Sequence, residues 1–334
     1  MRLSARLFVA GLTLVTAGFV ASCSGTPGLA YAERAAPSPQ TPPTASLSPA
    51  AARATLPASV SPAKTSPAVP RIEVTGAPRG VKAKEGILAD ATTGQVLWAE
   101  SAAMARPIAS ITKVMTAYLV IQAGDLDRKI VVPKGVLNYV WKYGASSAGL
   151  RPGEVLTAQE LLYGLLLESG ADAAYTLATA YGPGMGAFLA KMNATARQLG
   201  MTHTYFTSPD GLPYPTETST YSTPEDLLIL GETAMKSAVF RSIVDQRFYS
   251  LKKGQGHAAH WWGNSNELIG YYPGAVGIKT GFTDDAGHCL LFEAVRGGRT
   301  LIGVVLGSPP TGPGAGAQDA ARVLNWGFAL KQSA

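Results

Sequence analysis

The chain has 334 residues, of which 46% are hydrophobic and 15% are charged, so it can form one sizeable domain or two small ones. Its formal net charge is +6, but it has no block of Lys and Arg, which argues against nucleic acid as a partner. The two cysteines, Cys23 and Cys289, exclude a framework of several disulfides.

The first 22 residues have the features of a bacterial targeting segment. Arg2 and Arg6 precede an apolar run over residues 7–20, which is too short to span a bilayer as a stable helix. The run ends in Val20-Ala21-Ser22-Cys23, which resembles a lipoprotein box whose cysteine receives the lipid. We therefore predict a lipoprotein signal peptide over residues 1–22 and a membrane anchor formed by an N-terminal lipid on Cys23.

A rival cleavage point lies a few residues further on. Ala30-Tyr31-Ala32 has the A-x-A form, and cleavage near Ala32 would release a secreted protein without an anchor. The lipoprotein box directly adjoins the apolar run and is therefore favoured. Both alternatives place the mature protein outside the cytoplasm, in the cell envelope or beyond it.

A linker is expected between the targeting segment and the folded domain. Residues 33–70 contain 9 of the 23 prolines, many Ala, Ser and Thr, and no aromatic residue. A segment of this composition cannot bury enough apolar surface to fold. We predict a disordered Pro/Ala/Ser-rich linker over residues 23–70 and a single folded domain over residues 71–334.

The folded domain is predicted to open with a β-hairpin over residues 87–98 and to continue with helices. In residues 107–119 the apolar positions recur at helical spacing and form one stripe, with Ser110 and Lys113 on a shared flank near the start. Further helices are predicted from a capping box at Thr157–Glu160, over residues 171–181 and 185–199, and from Thr223-Pro224.

Strands return near the end of the chain. They are predicted over residues 275–280, 287–295 and 300–307, and a last helix is predicted over residues 317–331. Two early strands, a helical middle and three late strands indicate an α+β fold. In this fold one antiparallel sheet is formed by both chain ends, and the helical middle packs on it.

Three short motifs carry the chemistry. Ser110 to Lys113 is an S-x-x-K sequence at a predicted helix start, but the same pattern recurs at Ser61–Lys64 and Ser250–Lys253, so alone it is weak. Ser169-Gly170-Ala171-Asp172 interrupts an apolar segment between helices, and Lys279-Thr280-Gly281 lies on a predicted strand. The order S-x-x-K, S-G-x-D, K-T-G is typical of penicillin-binding proteins and class A β-lactamases.

With these motifs in place, the chain resembles the bacterial serine-type D-alanyl-D-alanine carboxypeptidases, which are low-molecular-weight penicillin-binding proteins of the S-x-x-K acyl-transferases. The resemblance runs from about Gly86 to Phe328 and includes Ser208-Pro209-Asp210-Gly211-Leu212 and Trp326-Gly327-Phe328. It implies a β-lactamase/transpeptidase-like fold. The E-x-x-L-N loop of class A β-lactamases is absent from the sequence.

The resemblance also implies a role for each motif residue. Ser110 would attack the penultimate D-alanine of a peptidoglycan stem peptide ending in D-Ala-D-Ala, with Lys113 as general base and Ser169 as proton relay. For this role the pKa of Lys113 has to be lowered by burial and by a nearby positive charge, which Lys279 would supply. Lys279, Thr280, Gly281 and Phe282 would bind substrate, with the N–H groups of Ser110 and Phe282 as the oxyanion hole. β-Lactam antibiotics would act as covalent inhibitors.

Two departures from the family pattern bear on substrate binding. The second motif usually carries Asn where this chain has Ala171, which predicts slower acylation. Relatives often have an arginine before the final helix for the terminal carboxylate, and none occurs here between Thr300 and Asp319. These changes keep two alternatives open. One is a β-lactamase, esterase or D,D-endopeptidase on the same scaffold, and the other is a catalytically weak wall-binding lipoprotein.

Several residues also allow a purely structural interpretation. Ser169 could simply cap the helix that follows it, and Thr280 could be an ordinary strand residue. His257 and His260 lack a nearby carboxylate or thiol in sequence, so no metal or other cofactor is predicted. Cys289 is interpreted as a buried apolar residue, and Trp261 and Trp262 either line the cleft or pack in the interior.

Overall fold

The computed structural model describes residues 72–309, 312 and 314–332. The predictions for the signal peptide (residues 1–22), the lipidated Cys23 and the linker (residues 23–70) lie outside this part of the chain. Across those described ranges, no helix has the length and apolar character needed to span a bilayer.

The described chain contains eleven strands and eight α-helices, and a short 3-10 helix at Ala109–Thr112 directly precedes the first of these. The strands are β1 (Glu85–Asp90), β2 (Val96–Glu100), β3 (Arg106–Pro107), β4 (Lys129–Val131), β5 (Val155–Thr157), β6 (Tyr221–Ser222), β7 (Phe248–Leu251), β8 (His260–Gly263), β9 (Ala275–Thr283), β10 (Gly287–Arg296) and β11 (Arg299–Ser308). The helices are α1 (Lys113–Ala123), α2 (Val136–Tyr143), α3 (Ala158–Leu166), α4 (Ala171–Tyr181), α5 (Met185–Gln198), α6 (Pro224–Met235), α7 (Ala238–Val244) and α8 (Ala315–Ala329).

Both chain ends build the main sheet, as the sequence predicts. Its five strands lie in the order β2-β1-β11-β10-β9, and every neighbouring pair is antiparallel. The register pairs Glu85 with Leu306 and Asp90 with Leu301, so the first hairpin of the domain is completed by its last strand. This arrangement confirms the predicted α+β fold.

The alternation of side chains along the central strands divides the core into two layers. Leu290 and Phe292 of β10 face α8 and pack with Val323 and Leu324, whereas Leu291 between them belongs to the cluster formed with the other helices. β11 alternates in the same way. The sheet is therefore covered on both faces, with α8 on one and the helical middle on the other.

The helix starts agree with the sequence signals. In α3, Glu160 N–H donates to Thr157 Oγ1 over 3.1 Å and Thr157 N–H donates to Glu160 Oε2 over 2.7 Å, which is a complete capping box. Thr223 caps α6 by accepting from Asp226 N–H at 3.1 Å. α4 has the predicted bounds.

The first helix differs from its prediction in two respects. The sequence pattern predicts one apolar stripe, yet α1 is buried around most of its circumference because helices pack against several of its sides. It also begins at Lys113, so Ser110 lies in the preceding 3-10 helix and not in the first α-helical turn. The serine and lysine nevertheless remain three residues apart on a tight turn.

Candidate active site

The hydroxyl of Ser110 and the amine of Lys113 are in direct contact. Their Oγ and Nζ atoms lie 2.8 Å apart. Ser110 is half-buried at the surface of a cleft, whereas Lys113 is only 1% exposed. The residue before the serine, Ala109, has φ 47°, a left-handed conformation that non-glycine residues adopt at a cost of about 1–3 kcal/mol and mainly at functional sites.

Lys113 is placed to act as a base. Burial lowers the pKa of Lys113 to about 8, against the opposing charges of Asp210 and Asp172. Besides Ser110, its Nζ contacts the backbone oxygen of Asp210 at 3.0 Å. A neutral amine in this position can donate to that carbonyl and still direct its lone pair at the serine hydroxyl.

The Ser-Pro-Asp-Gly segment that carries this carbonyl is held firmly against α1. Thr116 Oγ1 donates to Pro209 O over 2.6 Å, and Gly211 N–H donates to Ser208 Oγ over 2.9 Å. Gly211 has φ 85°, and a side chain there would collide with the carbonyl group of Ala109. The sequence resemblance includes this segment but does not reveal that it positions the lysine.

Ser169 lines the same cleft as Ser110 and Lys113 and is 8% exposed. It has φ 64°, and its backbone oxygen accepts a hydrogen bond from Ser146 Oγ at 2.5 Å. Within the described structure, no hydrogen bond links the Ser169 hydroxyl to Ser110 or Lys113. It is not a helix cap either, because Gly170 occupies the N-cap position of α4 and no side chain caps that helix.

The carboxylate of Asp172 fixes the loop across from Ser169. This side chain is fully buried and accepts from Ala148 N–H at 2.8 Å, Leu150 N–H at 3.0 Å and Ser147 Oγ at 2.6 Å. Four residues before the carboxylate, Glu168 accepts from Gly263 N–H at 3.0 Å. Glu168 and Asp172 thus anchor the segment on both sides of Ser169. The second motif alone does not indicate this anchoring.

The start of α4 also shows where the unusual alanine lies. Ala171 is fully buried and is not one of the residues that line the cleft. Its N–H donates to Ser146 O over 2.9 Å. Any longer side chain at this position has to find space inside the protein.

Strand β9 brings the third motif alongside the serine. A side chain on Gly281 would lie 2.6 Å from Ile108 O and 3.2 Å from Ser110 N, so only glycine lets the strand approach this closely. Thr280, Gly281 and Phe282 line the cleft together with Ser110. The backbone of Phe282 is therefore brought near that of Ser110, and its ring is half-exposed and lies 4.6 Å from the ring of His288.

Lys279 lies behind this surface and does not line the cleft. It is 1% exposed, and its Nζ contacts Thr280 O at 3.2 Å, Thr280 Oγ1 at 3.3 Å and Ser265 Oγ at 3.4 Å. Burial and the charge of Lys113 hold the pKa of Lys279 well below its usual range, with Glu168 opposing. Burial is the largest cause of the lowered pKa of Lys113, as expected from the sequence, and the two buried lysines each disfavour the charged form of the other.

The remaining candidates lie away from the chemistry. Trp262 is buried and donates through Nε1 to Ala148 O over 2.8 Å, whereas Trp261 is 64% exposed. His260 Nε2 lies 3.3 Å from Glu154 Oε1, a partner that the sequence did not suggest. Cys289 is buried, as predicted, and burial raises the pKa of its thiol to about 11. In the described ranges, no group of three or more His, Cys, Asp or Glu side chains converges on a possible metal position.

The cleft has a volume of about 640 Å³ and contains a serine, a buried lysine, a second serine and a glycine-bearing strand edge. Together with the α+β fold, this arrangement defines the class of serine acyl-transferases that use a lysine as their base.

Comparison with known proteins specifies the family. Residues 72–310 match the family described as D-alanyl-D-alanine carboxypeptidase, which is well over half of the chain. The chain is 40% identical over 250 residues to the D-alanyl-D-alanine carboxypeptidase of Streptomyces sp. (strain K15), covering 71% of this chain and 84% of that protein. The chain belongs to the D-alanyl-D-alanine carboxypeptidase family, as its motifs predicted.

Solved structures show the same fold. The crystal structure of the Streptomyces K15 DD-transpeptidase matches with a TM-score of 0.72 at 39% identity, covering 77% of this chain and 100% of that one. A D-alanyl-D-alanine carboxypeptidase from Mycobacterium tuberculosis H37Rv matches with a TM-score of 0.68 at 36% identity, covering 79% and 96%. These similarities confirm the predicted β-lactamase/transpeptidase-like fold.

Proposed function

We propose that this serine D-alanyl-D-alanine carboxypeptidase removes the terminal D-alanine of peptidoglycan stem peptides through an acyl-enzyme on Ser110. The observation that carries this assignment is the 2.8 Å contact between Ser110 Oγ and the buried Nζ of Lys113, whose pKa is lowered to about 8. A buried amine that is easily neutralised can take the proton of the hydroxyl as the hydroxyl attacks.

The later steps are assigned to other residues that line or support the same cleft. The attack forms a bond between Ser110 Oγ and the carbonyl carbon of the penultimate D-alanine, and the N–H groups of Ser110 and Phe282 stabilise the resulting oxyanion. The C–N bond then breaks, and the departing amine takes a proton that Lys113 passes on through Ser169. Water hydrolyses the remaining ester. Thr280, with Gly281 keeping the strand close, receives the terminal carboxylate of the substrate, and Lys279 supports it from behind by donating to Thr280 Oγ1.

We propose that β-lactams acylate the same serine. Their strained amide presents a carbonyl to Ser110 in the way the peptide does, and the ring nitrogen stays attached after the bond breaks. The conditions that activate Ser110 toward a peptide therefore also activate it toward the drug.

The proposed location follows from the N-terminal sequence together with the family. We propose that residues 1–22 are removed as a lipoprotein signal peptide, that a lipid on Cys23 anchors the protein to the membrane, and that residues 23–70 hold the catalytic domain (residues 71–334) away from it. Cleavage near Ala32 is the competing alternative. Mass spectrometry of the mature N-terminus distinguishes the two.

Intact-protein mass spectrometry after incubation with penicillin tests the assignment of the nucleophile. We expect one adduct on the peptide that contains Ser110, release of D-alanine from a D-Ala-D-Ala peptide, and loss of both in Ser110→Ala. Ser250→Ala is the matched control, because Ser250 belongs to another S-x-x-K sequence but lies on β7, outside the cleft.

Each alternative function has its own outcome in this experiment. Rapid turnover of penicillin without D-alanine release would identify a β-lactamase. No adduct and no release would support a catalytically silent wall-binding protein. An adduct that persists in Ser110→Ala would show that the nucleophile is wrongly assigned.

A further inference from the structure

Ser265 lines the cleft at a position that none of the three motifs includes. It is exposed and belongs to the connection between β8 and β9, fifteen residues before Thr280 in sequence. In the folded protein its Oγ lies 2.8 Å from Thr280 Oγ1. The two hydroxyls form a pair at the surface of the cleft.

The backbone around Ser265 is held on several sides. Ser265 N–H donates to Leu167 O over 3.0 Å, which ties it to the segment just before Ser169. Next to it, Asn264 Nδ2 donates to Val244 O at 2.9 Å and Gln246 O at 2.8 Å. Asn266 N–H donates to Asn264 Oδ1 over 2.9 Å. The hydroxyl is thus presented from a fixed loop.

The protons available near this pair can be counted. A lysine has three N–H donors when protonated and two when neutral, and three acceptors surround Lys279 Nζ: Thr280 O, Thr280 Oγ1 and Ser265 Oγ, at 3.2, 3.3 and 3.4 Å. Lys279 therefore has no spare proton for a ligand in the cleft. The hydroxyl oxygens of Ser265 and Thr280 can each accept from Lys279 Nζ. One of the two hydroxyl protons lies between the two oxygens, and the other is free to point into the cleft.

Besides this pair, the side-chain donors that line the cleft are hydroxyl groups, the amine of Lys113 and the ring of His288. Of the described residues that line the cleft, none is an arginine. Arg106 of β3 and Arg322 of α8 already form ion pairs: Arg106 Nη1 is 2.7 Å from Glu85, and Arg322 Nη1 is 2.8 Å from Asp319. Arg299 donates to three backbone carbonyls at the end of α8. The terminal carboxylate must be met by something other than a guanidinium.

We infer that Ser265 is a substrate-binding residue whose hydroxyl, side by side with that of Thr280, donates to the terminal carboxylate of the stem peptide. This inference rests on the proposed function. In the free protein one hydroxyl donates to the other across 2.8 Å; when a carboxylate binds, that proton can turn outward as well, so that each hydroxyl donates to one carboxylate oxygen. Lys279 behind them favours that orientation by donating to both oxygens.

The test compares substrates with and without the carboxylate. Steady-state kinetics are measured for Ser265→Ala, Ser265→Thr and wild type on an acyl-D-Ala-D-Ala peptide and on the same peptide ending in a carboxamide. Loss of a hydrogen bond to a charged group predicts a drop of about tenfold or more in kcat/KM for Ser265→Ala on the acid, and a drop of under about twofold on the amide. Ser265→Thr keeps the hydroxyl and should retain most activity on both peptides.

A matched control and a second readout complete the design. Ser242→Ala removes an exposed serine on α7 whose hydroxyl bonds only locally, to Val239 O at 2.8 Å, and should change neither substrate. Acylation by penicillin and by its methyl ester is followed in parallel, because only the free acid presents a carboxylate. Here too Ser265→Ala should slow only the acid.

The possible results separate this inference from the proposed function. An equal loss on acid and amide, or no loss at all, would overturn the role of Ser265 while leaving the carboxypeptidase intact. A wild type that releases no D-alanine but is acylated by penicillin would overturn the proposed function, and the comparison of penicillin with its ester would still decide the role of Ser265. A wild type that does neither would refute both.

Discussion

Lys113 and Asp210 are joined by a hydrogen bond of 3.0 Å from the lysine Nζ to the aspartate backbone oxygen, across 97 residues of sequence. This contact fixes the direction in which the amine can offer its lone pair. With one N–H committed to the carbonyl, the lone pair of the neutral amine can face Ser110 Oγ at 2.8 Å. The geometry therefore supports proton transfer in the direction that nucleophilic attack requires.

We expect acylation to rise with pH up to about pH 8. Burial lowers the pKa of Lys113 to about 8, so the fraction of neutral base falls about tenfold for each pH unit below that value. Measuring the second-order rate of penicillin acylation across this range tests it. Lys113→Arg, which cannot lose its proton, should be inactive throughout. A rate that is flat or falls toward pH 8 would contradict a lysine base.

The same burial should make Lys113 costly for stability. The pKa of this lysine is 10.5 in the unfolded chain and about 8 in the folded protein, so the unfolded state binds more protons between these values and stability rises with pH across that window. Below about pH 8 the full cost of burying an ammonium is present. At neutral pH, Lys113→Met should raise the free energy of unfolding by about 1–3 kcal/mol, as measured by urea denaturation. A less stable variant would show that the ammonium is well compensated.

Gly211→Ala should impair both folding and acylation. The new methyl group would overlap the carbonyl of Ala109, next to the nucleophile, and would displace either the Ser110 turn or the Asp210 carbonyl. Gly94→Ala is the control, because Gly94 has φ 70° but no neighbour within 4 Å. Both variants should lose about 1 kcal/mol or more from the positive φ, but only Gly211→Ala should acylate slowly. Normal acylation in Gly211→Ala would show that this close approach is not needed.

Asp172→Ala should uncouple the cleft loop from α4. Removing the carboxylate leaves the N–H groups of Ala148 and Leu150 without their acceptor, at a cost of about 2–5 kcal/mol in the free energy of unfolding. Asp226→Ala is a matched control: it removes a buried carboxylate that accepts from His203 N–H at 2.8 Å and Thr204 Oγ1 at 2.7 Å, outside the cleft. Both should lower the urea midpoint, and slowed penicillin acylation confined to Asp172→Ala would confirm the loop's role. Equal acylation rates in the two variants would refute it.

The parts of the fold that the sequence predicts well are those with their own local signals. The capping box at Thr157 and the Thr-Pro start of α6 determine helix starts by contacts within one turn, and the long apolar strands β10 and β11 bury both faces. The predictions from the sequence do not include α2, α7, β7 or β8. The helices α2 and α7 pack against α4 and β9, which are distant in sequence, whereas β7 and β8 are two short strands that pair with each other. Burial of α1 on most sides is likewise not predicted, since a sequence window does not show how many neighbours a helix has.

In the candidate site, too, the sequence identifies some residues and not others. Ser110, Lys113, Ser169 and the Lys279–Phe282 segment are identifiable from motifs, and the structure brings them into one cleft apart from Lys279, which lies behind it. The supporting contacts are not identifiable in this way. Asp172 anchors a loop twenty-odd residues earlier, and Asp210 contributes a backbone oxygen, which any residue type could supply. Ser265 becomes a candidate only once folding brings it against Thr280.

The pairing of β1 with β11 has a consequence for how the enzyme comes into being. Glu85 of β1 pairs with Leu306 of β11, and β9 joins the sheet through β10 and β11. The edge of β9 beside Ser110 therefore cannot take its place in the sheet until nearly the whole polypeptide has been synthesised. Until the C-terminal strands are available, the main sheet cannot form in the nascent chain. The reactive serine therefore gains its complete cleft only after the last strands of the chain have joined the sheet.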